Sequence, residues 1–288
     1  MKIAFLFLII DNPNFPDIWD SYLEGNEDKY SIYIHPKYPK KHTWRPNNII
    51  KHLKETSWGY ITRAYIELFK EAYKLEDNVK FITISESCLP IKKFNILYND
   101  IIINNLNESY IKKMIITKYD CDSRLKNHID KVKGEMYIPD KTSFIKHYAR
   151  FCLSKNHISI LLKAEKEKKL EFFHTMHVGD EFFLTILYPL KDYINMAITF
   201  DDWNYTKKIV NKLNDKIKKL YELQEKKHKN EEDNIKKLQL LRNDINKNPK
   251  TIIKVSKTDL KQIKETDSYF YRKFSKESNI GKVIKKIV

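Results

Sequence analysis

The 288-residue sequence is poor in glycine and cysteine, with five residues of the first and three of the second. It contains neither the glycine-rich phosphate loops of common nucleotide-binding enzymes nor the G-x-S-x-G and H-E-x-x-H motifs of hydrolases and metalloproteases. Cys88, Cys121 and Cys152 are far apart and form no C-x-x-C pair, which argues against a zinc site and a disulfide framework. A reducing compartment fits this use of cysteine best.

The beginning of the chain also has no apolar run long enough to cross a membrane. The run from Ile3 to Ile10 resembles the core of a signal peptide, but it is too short to span a bilayer. It leads directly into Asp11-Asn12-Pro13 with no small-residue cleavage site, which favours the alternative of a buried parallel strand. We therefore predict a strand here, with no signal peptide and no transmembrane helix.

What the sequence does have is positive charge and enough apolar residues for a core. Lys and Arg outnumber Asp and Glu by 54 to 38, and 42% of the residues are hydrophobic. A net charge of +16 favours anionic partners such as nucleotide diphosphates, polyanions or anionic membranes. The abundance of Lys, Asn and Ile fits an AT-rich genome equally well, so the charge by itself identifies no partner.

The order of predicted elements indicates an α/β fold. We predict strands at the apolar start, at Tyr30 to His35 and at Lys80 to Ser85, with helices from Pro16 to Leu23 and after Trp58-Gly59. This β-α-β-α-β order predicts a mainly parallel sheet that binds ligands at the carboxyl ends of its strands. Ser85-Glu86-Ser87-Cys88 lies at such an end.

The rest of the chain is less regular. We predict strands at Ile111 to Thr117 and Leu170 to Thr175 and a helix at Asn156 to Lys168, while FFLTILYPL after Glu181 is compatible with helix or strand. Residues 207–246 are rich in Lys, Asn, Glu and Gln and carry two apolar stripes at helical spacing. We predict an inserted Lys-rich helical hairpin there, whose charges form a solvated face rather than a binding surface.

Two groups of residues offer chemistry. Asp180-Glu181 follows Gly179, and the pair is compatible either with a general base in a cleft or with an Asp that caps a helix and a Glu in its first turn. Near the end of the chain, Lys250 and Phe270-Tyr271-Arg272-Lys273-Phe274 place cations beside aromatic residues. They are compatible with the neutralisation of a diphosphate or with an ordinary surface strand.

Several motifs, in the right order along nearly the whole chain, resemble glycosyltransferase family 14, the core-2/I-branching enzymes. KIAFLFLIIDNPNF, Trp58-Gly59 and KFITISESCLPIKKF resemble its first strand, its W-G motif and its F-x-x-L-S-E-S-C-x-P signature. ARFCLSK is similar to its S-Q-W-F-x-[VL]-[NS]-R segment, GDEFFLT to its D-E-x-x-L-x-T and FYRKFS to its F-A-R-K-F-S. The chain departs from the family pattern at three positions, which are Asn248, Phe200 and Lys155.

The resemblance implies a single GT-A-like domain over residues 1–288 and an inverting transfer of a sugar, GlcNAc from UDP-GlcNAc, onto a glycan or protein hydroxyl. It implies no metal and no cofactor, because Ser85-Glu86-Ser87 replaces the D-x-D metal ligands of related enzymes. It implies Glu181 as the catalytic base and Asp202 and Trp203 on the acceptor side. For the donor it implies five residues, namely His35, Glu86, Lys250, Arg272 and Lys273.

Other functions remain open from the sequence. A xylosyl- or glucuronosyltransferase of the same family is one alternative, because related branches of the family use different donors. A catalytically inactive basic scaffold protein on this fold is the alternative outside enzymes. No nucleic-acid partner is expected, because aromatic residues do not alternate with Lys and Arg as they do in single-strand binding grooves. The absence of an anchor before the first strand predicts a cytoplasmic protein of a microbe or of a virus-infected cell.

Overall fold

The computed structural model describes residues 1–116, 122–132, 136–139, 144–227, 232–245 and 249–284, so Cys121 and Asn248 lie outside the described residues. The strands are β1 (Lys2–Ile9), β2 (Tyr30–Pro36), β3 (Asn78–Ile84), β4 (Leu89–Pro90), β5 (Ser109–Tyr110), β6 (Lys113–Ile116), β7 (Phe144–His147), β8 (Cys152–Ser154), β9 (Tyr193–Ile194), β10 (Thr199–Asp201) and β11 (Phe270–Arg272). The helices are α1 (Pro16–Leu23), α2 (Thr62–Tyr73), α3 (Phe94–Tyr98), α4 (Ser123–Lys131), α5 (Lys155–Lys166), α6 (Glu171–Thr175), α7 (Trp203–Lys227), α8 (Glu232–Ile245), α9 (Lys257–Glu265) and α10 (Gly281–Ile284).

The central sheet has the strand order β2-β1-β3-β8-β5-β9. β1 pairs in parallel with β2 and β3, and β5 pairs in parallel with β9, whereas β8 runs antiparallel to both of its neighbours. The predicted mainly parallel α/β sheet is therefore confirmed. A second sheet, β10-β11-β4, and the antiparallel pair β6-β7 complete the strands of the described residues.

β1 shows why the first apolar run folds as a buried strand. Its alternate residues face opposite sides of the sheet. Phe5 and Phe7 belong to one hydrophobic cluster together with α1, and Ala4 and Leu6 belong to another with α2 and α5. Because both faces are covered, the strand is apolar at every buried position.

One local prediction was wrong. The predicted strand from Leu170 to Thr175 is the helix α6, in which the Phe173 and His174 N–H groups both donate to the Leu170 carbonyl at 3.0 Å. A run of six residues is too short for the spacing of its apolar residues to distinguish a strand from a helix. The packing of Phe172 against His128 and Phe144 favours the helix. The strand predicted from Ile111 to Thr117 is confirmed as the shorter strand β6, which pairs with β7.

The Lys-rich segment contains two helices that pack against each other, α7 and α8. Leu213, Ile217 and Ile235 are buried, and the Gln239 side chain donates to the Tyr221 hydroxyl at 3.2 Å. That this segment is an insertion stays a prediction. Among the described residues, no helix combines the length and the apolar character needed to cross a membrane.

Candidate active site

A cleft forms where the carboxyl ends of β3 and β11 meet. β3 leads into a turn closed by a hydrogen bond from the Cys88 N–H to the Ser85 carbonyl, 3.1 Å long. Phe274, just beyond β11, donates its N–H to the Ser87 carbonyl at 3.1 Å. Glu86 and Lys273 consequently line one cleft of about 260 Å³. Two predicted donor residues that are distant in sequence are thus brought together.

The backbone around Lys273 is held on both sides. The Ile252 N–H donates to the Lys273 carbonyl at 2.7 Å, and the Asn14 side-chain amide donates to the Phe274 carbonyl at 2.7 Å. These hydrogen bonds join three distant parts of the chain, so the position of Lys273 relative to the cleft is set by the whole fold.

Three cations, Arg150, Arg272 and Lys273, act electrostatically on Asp201 beside this cleft, and we call them the cation cluster. Arg272 Nη1 lies 3.3 Å from Asp201 Oδ1. Burial raises the pKa of Asp201, and the charges of the three cations offset this only partly. Burial lowers the pKa of Lys273, and Arg272 and Arg150 lower it further. Cations that are crowded and partly desolvated in this way favour the binding of an anion.

Arg150 is a member of the cation cluster to which the sequence assigned no role. Its Nη1 donates to the Tyr65 hydroxyl at 3.0 Å and to the Ala149 carbonyl at 2.9 Å. The Thr83 N–H donates to the Phe151 carbonyl at 3.1 Å, which places Arg150 beside the end of β3. The only sequence signal was an arginine two residues before a strand, and interpreting it required knowing that β8 runs antiparallel to β3.

Glu181 lies in a second group of charges. It ends a short 3-10 helix (Gly179–Glu181), and Glu181 Oε2 lies 3.4 Å from Arg124 Nη1 and 3.7 Å from Lys146 Nζ. Both cations also contact Asp122, with N···O distances of 2.7 and 3.2 Å. The Glu181 side chain keeps 30% of its surface exposed, and the two cations hold the carboxylate between them.

Asp180, beside Glu181, is 6% exposed and caps no helix in the structure. The cap interpretation of this residue was therefore wrong. Burial raises the pKa of Asp180 to about 6, the negative charge of Glu181 adds to the increase, and Arg150 opposes it. A carboxyl group with this pKa exchanges protons near neutral pH, which is useful to a catalyst and costly for stability.

The shifted pKa of Asp180 gives a pH prediction. Because the folded-state pKa lies above the ordinary value of 3.8, this group makes folding less favourable as the pH rises from about 4 to about 6. Asp180→Asn removes that penalty. We expect the melting temperature of the variant, relative to wild type, to rise across this window and to level off above it in thermal unfolding. A constant difference at every pH would contradict the assigned pKa.

Two glycines allow the segment before Glu181 to pack closely. A Cβ atom on Gly179 would lie 2.0 Å from the Phe173 carbonyl oxygen. Gly59 has a φ of +81°, and a Cβ there would lie 2.4 Å from the His177 ring. The Gly59 carbonyl accepts the Val178 N–H at 2.6 Å. The W-G motif thus supports the loop that carries Asp180 and Glu181.

Comparison with known proteins identifies the family. The model of the family described as core-2/I-branching enzyme matches residues 3–239. The chain belongs to the core-2/I-branching enzyme family. It is also similar to glycosyltransferase BC10 of Oryza sativa subsp. japonica, with 26% identity over 127 residues, or 41% of this chain and 31% of the rice protein. The chain thus spans less than a third of that relative's length. The family predicted from the sequence is confirmed.

His35, predicted to contact the donor nucleoside of this core-2/I-branching family member, is completely buried. Its Nε2 accepts the Lys54 N–H at 2.9 Å, and burial lowers the pKa of the ring. In this structure His35 therefore holds the backbone at Lys54 next to the end of β2. A donor contact by His35 stays a prediction.

Lys250 lies outside the cation cluster. Its Nζ is 2.5 Å from Asp259 Oδ1, and the Asp259 side chain is completely buried. Asp259 also forms a capping box with Ser256 at the start of α9. The ammonium group of Lys250 is thus part of the structure that begins α9, and its predicted contact with the donor stays untested.

The two predicted acceptor residues stand at the start of α7. Asp202 is 3% exposed, and its Oδ1 accepts the Tyr205 N–H at 3.0 Å, which is the hydrogen bond of an N-cap. Trp203 follows as the first residue of the helix and is half-buried. The fold thus gives Asp202 a structural role, and an acceptor role for either residue stays a prediction.

Proposed function

We propose that this chain is an inverting, metal-independent glycosyltransferase that moves GlcNAc from UDP-GlcNAc onto a hydroxyl of a glycan or protein. The observation that carries the proposal is the cation cluster at the carboxyl end of β3, in a member of the core-2/I-branching enzyme family. In an open α/β sheet this edge is where ligands bind. Positive charge fixed there suits a nucleoside diphosphate.

The proposed reaction needs a base and a stabilised leaving group. Glu181 takes the proton of the acceptor hydroxyl while the hydroxyl oxygen attacks the anomeric carbon of the donor sugar. The bond from this carbon to the diphosphate oxygen breaks, and its electron pair leaves with UDP. Arg272 and Lys273 stabilise the negative charge that develops on the diphosphate, as a metal ion does in other transferases.

Two other functions can be distinguished from this proposal by the sugar that is transferred and by the binding of UDP. A xylosyl- or glucuronosyltransferase shares the base and the diphosphate site and differs in the sugar that it transfers. A basic scaffold protein on this fold would bind UDP without transferring sugar, or would not bind it at all. The net charge of +16 is compatible with a scaffold. The Glu181 carboxylate, which Arg124 and Lys146 hold in place, favours the enzyme.

We expect UDP-sugars to stabilise the protein against heat and transfer to continue in EDTA. A ligand at 100 times its dissociation constant adds about 2.7 kcal/mol of stability, so a thermal-shift screen over a panel of UDP-sugars identifies the donor. Transfer from that donor is then measured with EDTA and with added manganese. Activity that stops with EDTA and returns with manganese would show that the cations do not replace a metal ion.

A further inference from the structure

Lys250 is not available to a ligand in this structure, because its ammonium group is paired with the Asp259 carboxylate. The fully buried Asp259 carboxylate lies 2.5 Å from Lys250 Nζ, and the Tyr205 ring centre lies 4.8 Å from the same atom. If Lys250 moved to a diphosphate, a buried carboxylate would lose its counter-charge, which is strongly unfavourable. The pairing with Asp259 therefore opposes the donor role that the sequence suggests for this lysine.

Arg150, unlike Lys250, has a hydrogen-bond donor that is not already paired with an acceptor among the described residues. Hydrogen bonds to Tyr65 and to the Ala149 carbonyl use its Nη1, whereas its buried Nε has no hydrogen-bond partner among the described residues. A buried N–H without an acceptor costs free energy, and an incoming anion removes that cost. The planar guanidinium group also matches phosphate oxygens better than an ammonium group does.

The electrostatic surroundings connect Arg150 to the same cleft. Burial by itself lowers the pKa of the Arg150 guanidinium, but Tyr65 and Cys88, followed by Asp201 and Glu86, outweigh it and raise the pKa. Glu86 lines the cleft together with Lys273, and the charge of Arg150 helps to lower the pKa of Lys273. Arg150, just before β8, thus interacts electrostatically with both Glu86 and Lys273 of the cleft.

We propose that Arg150 contacts the diphosphate of the donor together with Arg272 and Lys273, in the role that the sequence suggests for Lys250. This inference rests on the proposed function. When the bond between the anomeric carbon and the diphosphate oxygen breaks, the electron pair stays on that oxygen. Arg150 stabilises the resulting charge through N–H groups directed at the phosphate oxygens.

The test separates the diphosphate from the nucleoside by measuring calorimetric dissociation constants for UDP and for uridine. In Arg150→Met we expect UDP binding to weaken at least about tenfold, the effect of losing one charge-assisted hydrogen bond, and uridine binding to stay unchanged. Arg150→Lys keeps the charge without the planar group, and we expect a smaller loss for UDP alone. Turnover should fall in the same order.

The control variants address structure and charge separately. Arg63→Met removes an arginine that pairs with Glu171 at 2.6 Å on the surface, and Tyr65→Phe removes only the hydroxyl that accepts from Arg150. The double variant Lys250→Met/Asp259→Asn removes both charges of a buried ion pair, so that neither partner is left as an unpaired buried charge. We expect all three to keep the wild-type ratio of UDP to uridine affinity.

Each other outcome is informative. Equal weakening of UDP and uridine in Arg150→Met, or unchanged UDP binding in both Arg150 variants, would overturn the role of Arg150. A tenfold loss for UDP in the Lys250 double variant would return that role to Lys250. If wild-type protein binds uridine and UDP equally well or binds neither, the proposed function itself fails.

Discussion

Replacement of Glu181 by Gln is expected to lower turnover by a factor on the order of 10² to 10⁴ while donor binding persists. Gln keeps the shape and the hydrogen-bonding capacity of the side chain but is not a base. Arg124 and Lys146, 3.4 and 3.7 Å from the carboxylate, hold it in a partly exposed position. Steady-state transfer kinetics and UDP-sugar calorimetry on the same preparation measure both effects.

Asp180 provides the matched control, because it is the neighbouring carboxyl group on the same short helix. Its pKa of about 6 makes it a competing base on chemical grounds, whereas its 6% exposure limits contact with a substrate. Asp180→Asn is therefore expected to retain most of the turnover. Nearly normal turnover in Glu181→Gln, with a folded but inactive Asp180→Asn, would show that Asp180 is the base.

Removal of the Lys273 side chain is expected to weaken UDP binding by about 10- to 100-fold and to slow transfer. A hydrogen bond to a charged group contributes about 1.5–3 kcal/mol, which corresponds to this range. The effect should be large because hydrogen bonds on both sides hold the Lys273 backbone at the cleft. Calorimetry of Lys273→Ala with UDP measures the loss directly.

Lys92 provides a comparison for this variant. It is also half-buried, and its Nζ donates to the Asp267 carbonyl at 2.7 Å outside the cleft that Lys273 lines. We expect Lys92→Ala to bind UDP as wild type does. Unchanged UDP affinity in Lys273→Ala, with intact folding, would count against Lys273 as a diphosphate ligand and against the site at the end of β3.

Much of the fold was predictable because the signals were local. The apolar run of β1, ended by Asp11-Asn12-Pro13, is a strand pattern that needs no knowledge of distant residues. The alternation of β1, α1, β2, α2 and β3 then implied a parallel sheet, and with it the edge at which a ligand binds. The short segment of α6 carried no such signal, and tertiary packing decided its structure.

The candidate site was predictable only in part. Glu86 and Lys273 were assigned to one ligand from their motifs, and the fold brings both to one cleft. Arg150 was missed, because its position depends on the antiparallel pairing of β8 with β3, and strand order cannot be read from local periodicity. Asp180 was interpreted as a possible cap, because a short polar residue after glycine looks the same in a buried loop.

The sequence by itself determined the family, the order of the first strands and helices, and which residues carry charge beside apolar strands. These properties follow from side-chain type and spacing along a single chain. Only the tertiary structure decided which charges meet: Lys250 pairs with Asp259, while Arg150 joins Arg272 around Asp201. The reason is physical, because the effect of a charge depends on its burial and on the neighbours that folding brings to it.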